Sequence, residues 1–170
     1  MDALAEQCDR FGALSLAGQS RILAGPTGER NVYTLLAREA VLCLASDDHD
    51  RLVQLAAVLA VGSHAVWPSG RQSDDLVALL PAEVRQKISI ARDWRARAGL
   101  VKFDAALFHG DGQALVQVMT TLADRPGPII GLQALSRGSV DIPLERLVVE
   151  RALSLNTAAA GGNASLMTVG

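Results

Sequence analysis

The sequence has few aromatic residues, few cysteines and no long hydrophobic run. Phe, Trp and Tyr make up 4% of the 170 residues, and the two cysteines are Cys8 and Cys43. Two cysteines are too few for the disulfide framework of a small secreted domain. No apolar stretch approaches the roughly 20 residues that a membrane-spanning helix requires. The N-terminus MDALAEQCDR places acids where a secretory signal has bases. These absences favour a cytoplasmic protein with no membrane partner.

Clustered positive charge is also missing from the sequence. The chain has 16 basic and 18 acidic side chains, a formal net charge of −2. The bases are scattered, apart from a weak group at Arg92, Arg95 and Arg97. A nucleic-acid or anionic-membrane partner requires a clustered basic surface, so we expect neither.

The apolar residues, 49% of the chain, form short runs that alternate with helical periodicity. Near-continuous apolar runs are typical of buried parallel strands. Strands are predicted at 21–24, 32–37, 40–45, 64–67, 87–91, 103–109 and 129–134. Helices are predicted after the acidic cap 47–50 up to Gly62, over 112–124, and over 144–151 behind Pro143. The alternation predicts an α/β sheet with helices packed on it. The turn GPTGERN, with Gly25, Gly28, Glu29, Arg30 and Asn31, predicts a hairpin or flap beside that sheet.

The segment HGDGQAL, which starts at His109, follows a predicted strand and opens a helix. A dinucleotide-binding fold places its phosphate loop at such a position, which makes Gly110 and Gly112 weak cofactor-binding candidates. Leu115 stands where a third glycine or alanine is expected. A tight structural turn with Asp111 as helix cap explains the same residues. The structural interpretation is favoured, and the nucleotide-binding one stays open.

No catalytic or metal site is predicted from the residues. Cys43 lies inside the apolar run VLCLA, where a thiol is inert, and Cys8 is flanked by acids that raise its pKa. The histidines His49, His64 and His109 are far apart, and neither HxxxH nor CxxC spacing is present. A GxSxG nucleophile elbow is also absent.

Two stretches carry a family resemblance: GPTGERNVYTLLAREAVLCLA (25–45) and LERLVVERALSLNTAAAGGNASLMTVG (144–170). They resemble the C-terminal region of long proline utilization A (PutA) proteins, and QLAAVLAVGSHAVWP and DAALFHGD agree with it. The resemblance implies an aldehyde dehydrogenase-like fold, with a Rossmann-like parallel sheet, flanking helices and a small β-flap. The domain would cover 1–157, with flap strands at about 21–37 and 150–157, and a docking tail would cover 158–170. We expect the chain to be an excised part of a longer parent.

PutA proteins are bifunctional enzymes of proline catabolism, with an FAD-dependent proline dehydrogenase and an NAD-dependent L-glutamate γ-semialdehyde dehydrogenase. The resemblance implies that this chain has no cofactor and no catalysis of its own. It would pack on the aldehyde dehydrogenase domain of the same polypeptide, cover the substrate-channelling tunnel and support semialdehyde oxidation. The alternative is a vestigial or regulatory nucleotide-binding module. A free-standing enzyme is disfavoured, since no nucleophile, base and orienting group are visible together.

The tail SLNTAAAGGNASLMTVG has no charged side chain, and its centre has only small residues. Small residues allow close backbone approach to a partner, and apolar side chains serve as anchors. The predicted docking residues are Thr157, Ala160, Gly161, Gly162, Asn163, Ser165, Leu166 and Met167. In the isolated chain we expect a tail that is mobile or docked on a second copy. The apolar face left by a missing partner predicts self-association.

Overall fold

Strands and helices alternate along most of the chain. The computed structural model describes residues 2–96 and 101–156. In chain order the elements are α1 (Asp2–Leu14), β1 (Ser20–Leu23), β2 (Glu29–Ala37), β3 (Ala40–Leu44), α2 (Asp48–Ala60), β4 (His64–Pro68), α3 (Arg71–Leu79), α4 (Ala82–Arg85), β5 (Ile88–Ala91), β6 (Ala105–His109), α5 (Gly112–Ala123), β7 (Gly131–Leu135), a 3-10 helix (Leu144–Leu147) and β8 (Val148–Asn156). Among these described elements, no helix is both long and apolar enough to cross a bilayer.

Five strands form a parallel sheet in the order β5-β4-β3-β6-β7. The chain starts in the middle at β3, moves outward to β5, and then returns to place β6 on the other side of β3. This reversal defines a topological switch point between β3 and β6, as in Rossmann-like sheets. The predicted Rossmann-like sheet is therefore confirmed.

Helices cover both faces of the parallel sheet. On β3, Val41 and Cys43 point into a buried cluster with Phe11 of α1 and the apolar side of α2. Leu42 and Leu44 point into a second cluster, which includes residues of α5. Because both faces are buried, these strands appear in the sequence as continuous apolar runs rather than as alternation.

Three strands form a separate antiparallel sheet in the order β1-β2-β8, which is the predicted flap. Two glycines lie in the turn between β1 and β2, and the backbone requires Gly28. Gly28 has φ +90°, a backbone conformation that favours glycine. A Cβ at Gly25 would collide with the side-chain amide of Asn31.

One predicted element is wrong. Residues 144–151 do not form one helix, because only Leu144–Leu147 turn as a 3-10 helix and β8 starts at Val148. The β-branched pair Val148 and Val149 favours a strand, and the pairing of Val149 with Leu36 of β2 provides the hydrogen bonds. The predicted tail, with Thr157, Ala160, Gly161, Gly162, Asn163, Ser165, Leu166 and Met167, lies outside the described residues, as does Arg97. The boundary between domain and tail stays a prediction.

Candidate functional site

A cleft of about 460 Å³ lies at the carboxyl edge of the parallel sheet. Residues at the carboxyl ends of β3, β4 and β6 and just beyond them line the cleft, namely 44–46, 68–70 and 108–110. It therefore lies at the switch point between β3 and β6, where open α/β sheets bind ligands. Ala114, Gln117, Val118 and Thr121 of α5 form one wall.

The charged side chains that line this cleft all have the same sign. They are Arg51, Arg71, Arg95 and Arg137, and no Asp or Glu is among the described lining residues. We call this feature the arginine cleft. The sequence shows the bases as scattered, but the fold gathers four of them. Each follows the end of a parallel strand within a few residues, and such ends meet at one edge of the sheet. Their positions shortly after the predicted strands were the feature of the sequence from which the four arginines could have been predicted to lie together.

Arg51 is the buried member of the arginine cleft. Its side chain is 7% exposed, Nη2 donates to the Ala45 carbonyl at 3.0 Å, and the guanidinium lies 5.6 Å from the Trp67 ring centroid. Nε and Nη1 have no hydrogen-bond partner. The Asp48 carboxylate lies 3.9 Å from Nη1, beyond hydrogen-bond length. Burial lowers the pKa of Arg51, and Asp48 opposes that shift.

His109, at the end of β6, is held from both sides. Gln54 Nε2 donates to His109 Nδ1 at 2.8 Å and to the Leu44 carbonyl at 3.0 Å. His109 Nε2 then donates to the Ser139 carbonyl at 2.9 Å. In this pairing Nε2 carries a proton and Nδ1 accepts, so both nitrogens are engaged in holding the sheet to α2 and the 136–140 loop.

The glycine turn after β6 has a structural explanation. A Cβ at Gly110 would overlap the ring of Phe108. Asp111 Oδ1 accepts a 2.9 Å hydrogen bond from the amide of Ala114, which makes it the helix cap that the sequence predicted. Gly112 has open space around its Cβ position. A nucleotide-binding role for Gly110 and Gly112 stays a prediction.

The turn between β3 and α2 is acidic and contains no glycine. Asp47 accepts from the amide of Asp50 at 2.9 Å, which confirms the predicted helix cap and lowers the pKa of Asp47. The buried Asp50 accepts twice from the amide of Gly138, at 2.9 and 3.1 Å. With His49 these carboxylates form a compact group, but their oxygens serve the backbone. A dinucleotide pyrophosphate does not fit this helix N-terminus.

The two thiols are poor nucleophiles. Burial raises the pKa of Cys43 to about 12. Partial burial and then Asp9 raise the pKa of Cys8, which lies on the exposed side of α1. Both agree with what their neighbours in the sequence predicted.

One face of the antiparallel sheet carries six apolar side chains that are exposed or half-buried, and Arg30, Thr34 and Arg151 lie among them. We call the flap face the side chains Ile22, Val32, Leu36, Val149, Leu153 and Leu155. Val32 lies directly between Ile22, 69% exposed, and Leu153, 42% exposed. Among the described residues, no flap-face side chain belongs to either buried cluster. The opposite face is mixed, with Tyr33 and Leu35 beside Glu150 and Ser154. The predicted turn residues Gly25, Gly28, Glu29, Arg30 and Asn31 lie at the tip of this sheet.

Strand order and flap together define the chain as a Rossmann-like α/β domain with a β-flap, a fold that solved PutA and aldehyde dehydrogenase structures share. A solved PutA structure with proline bound in remote sites has a TM-score of 0.57 at 22% identity, over 78% of this chain and 15% of that one. The aldehyde dehydrogenase KauB from Pseudomonas aeruginosa has a TM-score of 0.54 at 17% identity, over 78% and 30%. At these identities the likeness shows the fold alone.

Sequence relatives identify the family more closely. No protein-family profile matches the chain. The bifunctional protein PutA of Escherichia coli (strain K12) is 52% identical over 163 residues, which are 96% of this chain and 12% of PutA. The chain therefore belongs to the PutA family as one segment of such a protein. The resemblance seen in residues 25–45 and 144–170 is confirmed, while a place at the C-terminal end of the parent stays a prediction.

Proposed function

We propose that this chain is a non-catalytic domain of a cytoplasmic proline-catabolic parent and that the flap face packs on the rest of that polypeptide. The partner is the parent's aldehyde dehydrogenase domain. The chain covers the tunnel that carries the intermediate and supports NAD-dependent oxidation of the semialdehyde. FAD and NAD belong to the parent's other domains.

The exposed flap face is the observation that carries this proposal. In an antiparallel sheet, a row of large apolar side chains on one face ordinarily packs on a core. In this chain the flap face has no core to pack on among the described residues. A row of large apolar side chains such as Ile22, Val32 and Leu153 is typical of an interaction surface.

The length of the relatives supports the choice of partner. The chain spans 12% of the E. coli PutA that it matches. The remaining length provides a surface within the same polypeptide, at a high effective concentration and without a second binding partner.

The state of the thiols and of His109 supports the non-catalytic part. An aldehyde dehydrogenase requires an accessible thiolate nucleophile. Cys43 is buried with a pKa raised to about 12, and the pKa of Cys8 is raised as well. His109 uses both ring nitrogens in structural hydrogen bonds.

Rescue of activity in trans tests the proposal. The parent is cut just before this segment, and its NAD-dependent semialdehyde oxidation is measured with and without the added chain. We expect activity to rise on addition, to stay low with Leu153→Glu, and to rise fully with Ser154→Glu. Ser154 is the matched control because it follows Leu153 on the same strand and faces the other way.

A shortened chain that ends at residue 157 distinguishes the contribution of the tail to docking from that of the flap face. Loss of rescue with this shortened chain assigns part of the docking to 158–170. A cut parent that is fully active alone, or equal rescue by both glutamate variants, contradicts docking through the flap face.

A further inference from the structure

We propose that the arginine cleft binds the phosphate group of a small phosphorylated ligand. This site is on the parallel sheet and is separate from the flap face, and Gly110 of the glycine turn forms part of its lining. Failure of the docking proposal therefore leaves this one standing, and the reverse also holds.

Arg51 is the preorganised anchor of the site. The Ala45 carbonyl and the Trp67 ring hold its guanidinium, and the buried Nε and Nη1 have no hydrogen-bond partner, although Nη1 lies 3.9 Å from the Asp48 carboxylate. Buried donors without partners are unfavourable, and an oxyanion that accepts from them removes that cost. A planar guanidinium fork matches phosphate oxygens in two-point contact.

The other three arginines add positive charge to the lining of the cleft. Arg71 lies 3.6 Å from Asp75 and Arg137 lies 3.6 Å from Asp111, and both distances exceed hydrogen-bond length. Arg95 stacks on Trp94 with its guanidinium 4.7 Å from the ring centroid. A multiply charged anion in the cleft attracts all four guanidinium groups at once, in competition with the single carboxylates of Asp48, Asp75 and Asp111.

Shape and position define the ligand class. The cleft lies at the switch point, where open α/β sheets hold phosphorylated ligands. Its volume of about 460 Å³ suits a mononucleotide-sized molecule. Trp94 and Phe108 form an aromatic part of the cleft wall, and Gln117 and Thr121 form a polar part. A full dinucleotide is disfavoured because Asp47 and Asp50 occupy the neighbouring turn.

Calorimetric titration of the 170-residue chain tests the proposal with pyrophosphate, AMP, NAD and succinate as probes. We expect saturable binding of pyrophosphate or AMP, with a rise in Tm at saturating ligand. Arg51→Met should weaken binding by about 10–100-fold, the loss of one or two charge-assisted hydrogen bonds. Arg51→Lys keeps the charge without the fork and should recover only part of the affinity.

Arg85→Gln is the matched control, because Arg85 is an exposed arginine outside the cleft. Its affinity should equal that of the unchanged chain. If circular dichroism shows that Arg51→Met is unfolded, the surface pair Arg95→Gln and Arg137→Gln provides the test, with an expected loss of several-fold.

The probes also identify the source of the phosphate. Tighter binding of AMP than of pyrophosphate supports a nucleotide, and the opposite order supports a free phosphate compound. No saturable binding at millimolar ligand overturns the proposal. So does binding that Arg85→Gln weakens as much as the cleft variants do, or binding of succinate alone.

Discussion

The parallel sheet and the flap differ in what their apolar residues contact. In β6 every residue is buried, because helices cover both faces of the parallel sheet. In β8 every residue after Val148 is exposed, although Val149, Leu153 and Leu155 are as apolar as the strands of the core. The parallel sheet buries its apolar side chains within the chain, whereas the flap leaves those of the flap face largely exposed. If the flap face docks as proposed, an apolar side chain stabilises the fold in the first sheet and association in the second.

The largest expected difference is between two leucines in strands. Leu107→Ala in β6 removes a fully buried side chain and should lower the free energy of unfolding by about 2–5 kcal/mol. Leu153→Ala in β8 should change it by less than about 0.5 kcal/mol, since that side chain is half exposed. Urea denaturation of the monomer measures both. Similar losses at the two positions would mean that the flap face is already packed in the isolated chain.

A smaller loss is expected from the polar network at the carboxyl edge. Gln54→Leu leaves the Nδ1 of the buried His109 without its donor and should cost about 1–3 kcal/mol. Gln113→Leu, at an exposed position of α5, is the control and should be near neutral. If Gln54→Leu left the free energy of unfolding unchanged, His109 Nδ1 would not depend on the Gln54 donor, and the assigned tautomer would be wrong.

The parallel sheet was largely predictable because its signal is local. The predicted strand 40–45 corresponds to β3 (Ala40–Leu44), and the predicted helix 112–124 corresponds to α5 (Gly112–Ala123). The segment 144–151 failed because its strand character depends on pairing with β2, far away in the sequence. Residues 144–151 show helical spacing when they are considered without that partner.

The arginine cleft was less predictable than the fold. Arg51, Arg71, Arg95 and Arg137 come from four segments with no common spacing. Only the strand order brings them together, and strand order is a long-range property. The flap was predictable only in part for the same reason. Its turn at 25–31 is marked by glycines in the sequence, but which side chains share the flap face depends on the register of three strands.

The cap of α2 offers a test with a pH dependence. Asp47→Ala should cost about 1 kcal/mol at neutral pH, while Asp47→Asn keeps the acceptor and should cost little. The amide of Asp50 holds the pKa of Asp47 below its ordinary value. This carboxylate therefore stabilises the fold above its unfolded-state pKa of about 4, and the contribution is lost as the pH falls through the lower folded-state pKa. The difference between the unchanged chain and Asp47→Ala should shrink below about pH 4 in urea denaturation.

The smallest effect on stability should accompany a clear effect on association. Leu153→Glu on the flap face and Ser154→Glu on the opposite face should each change the unfolding free energy by less than about 0.5 kcal/mol. Sedimentation velocity should separate them, because Leu153→Glu places a charge in the apolar row beside Val32 and abolishes self-association at high concentration. Ser154→Glu should leave self-association unchanged. Equal self-association of both variants would show that the flap face does not mediate self-association. The exposed Val116 and Met119 of α5 would then be the next side chains to substitute.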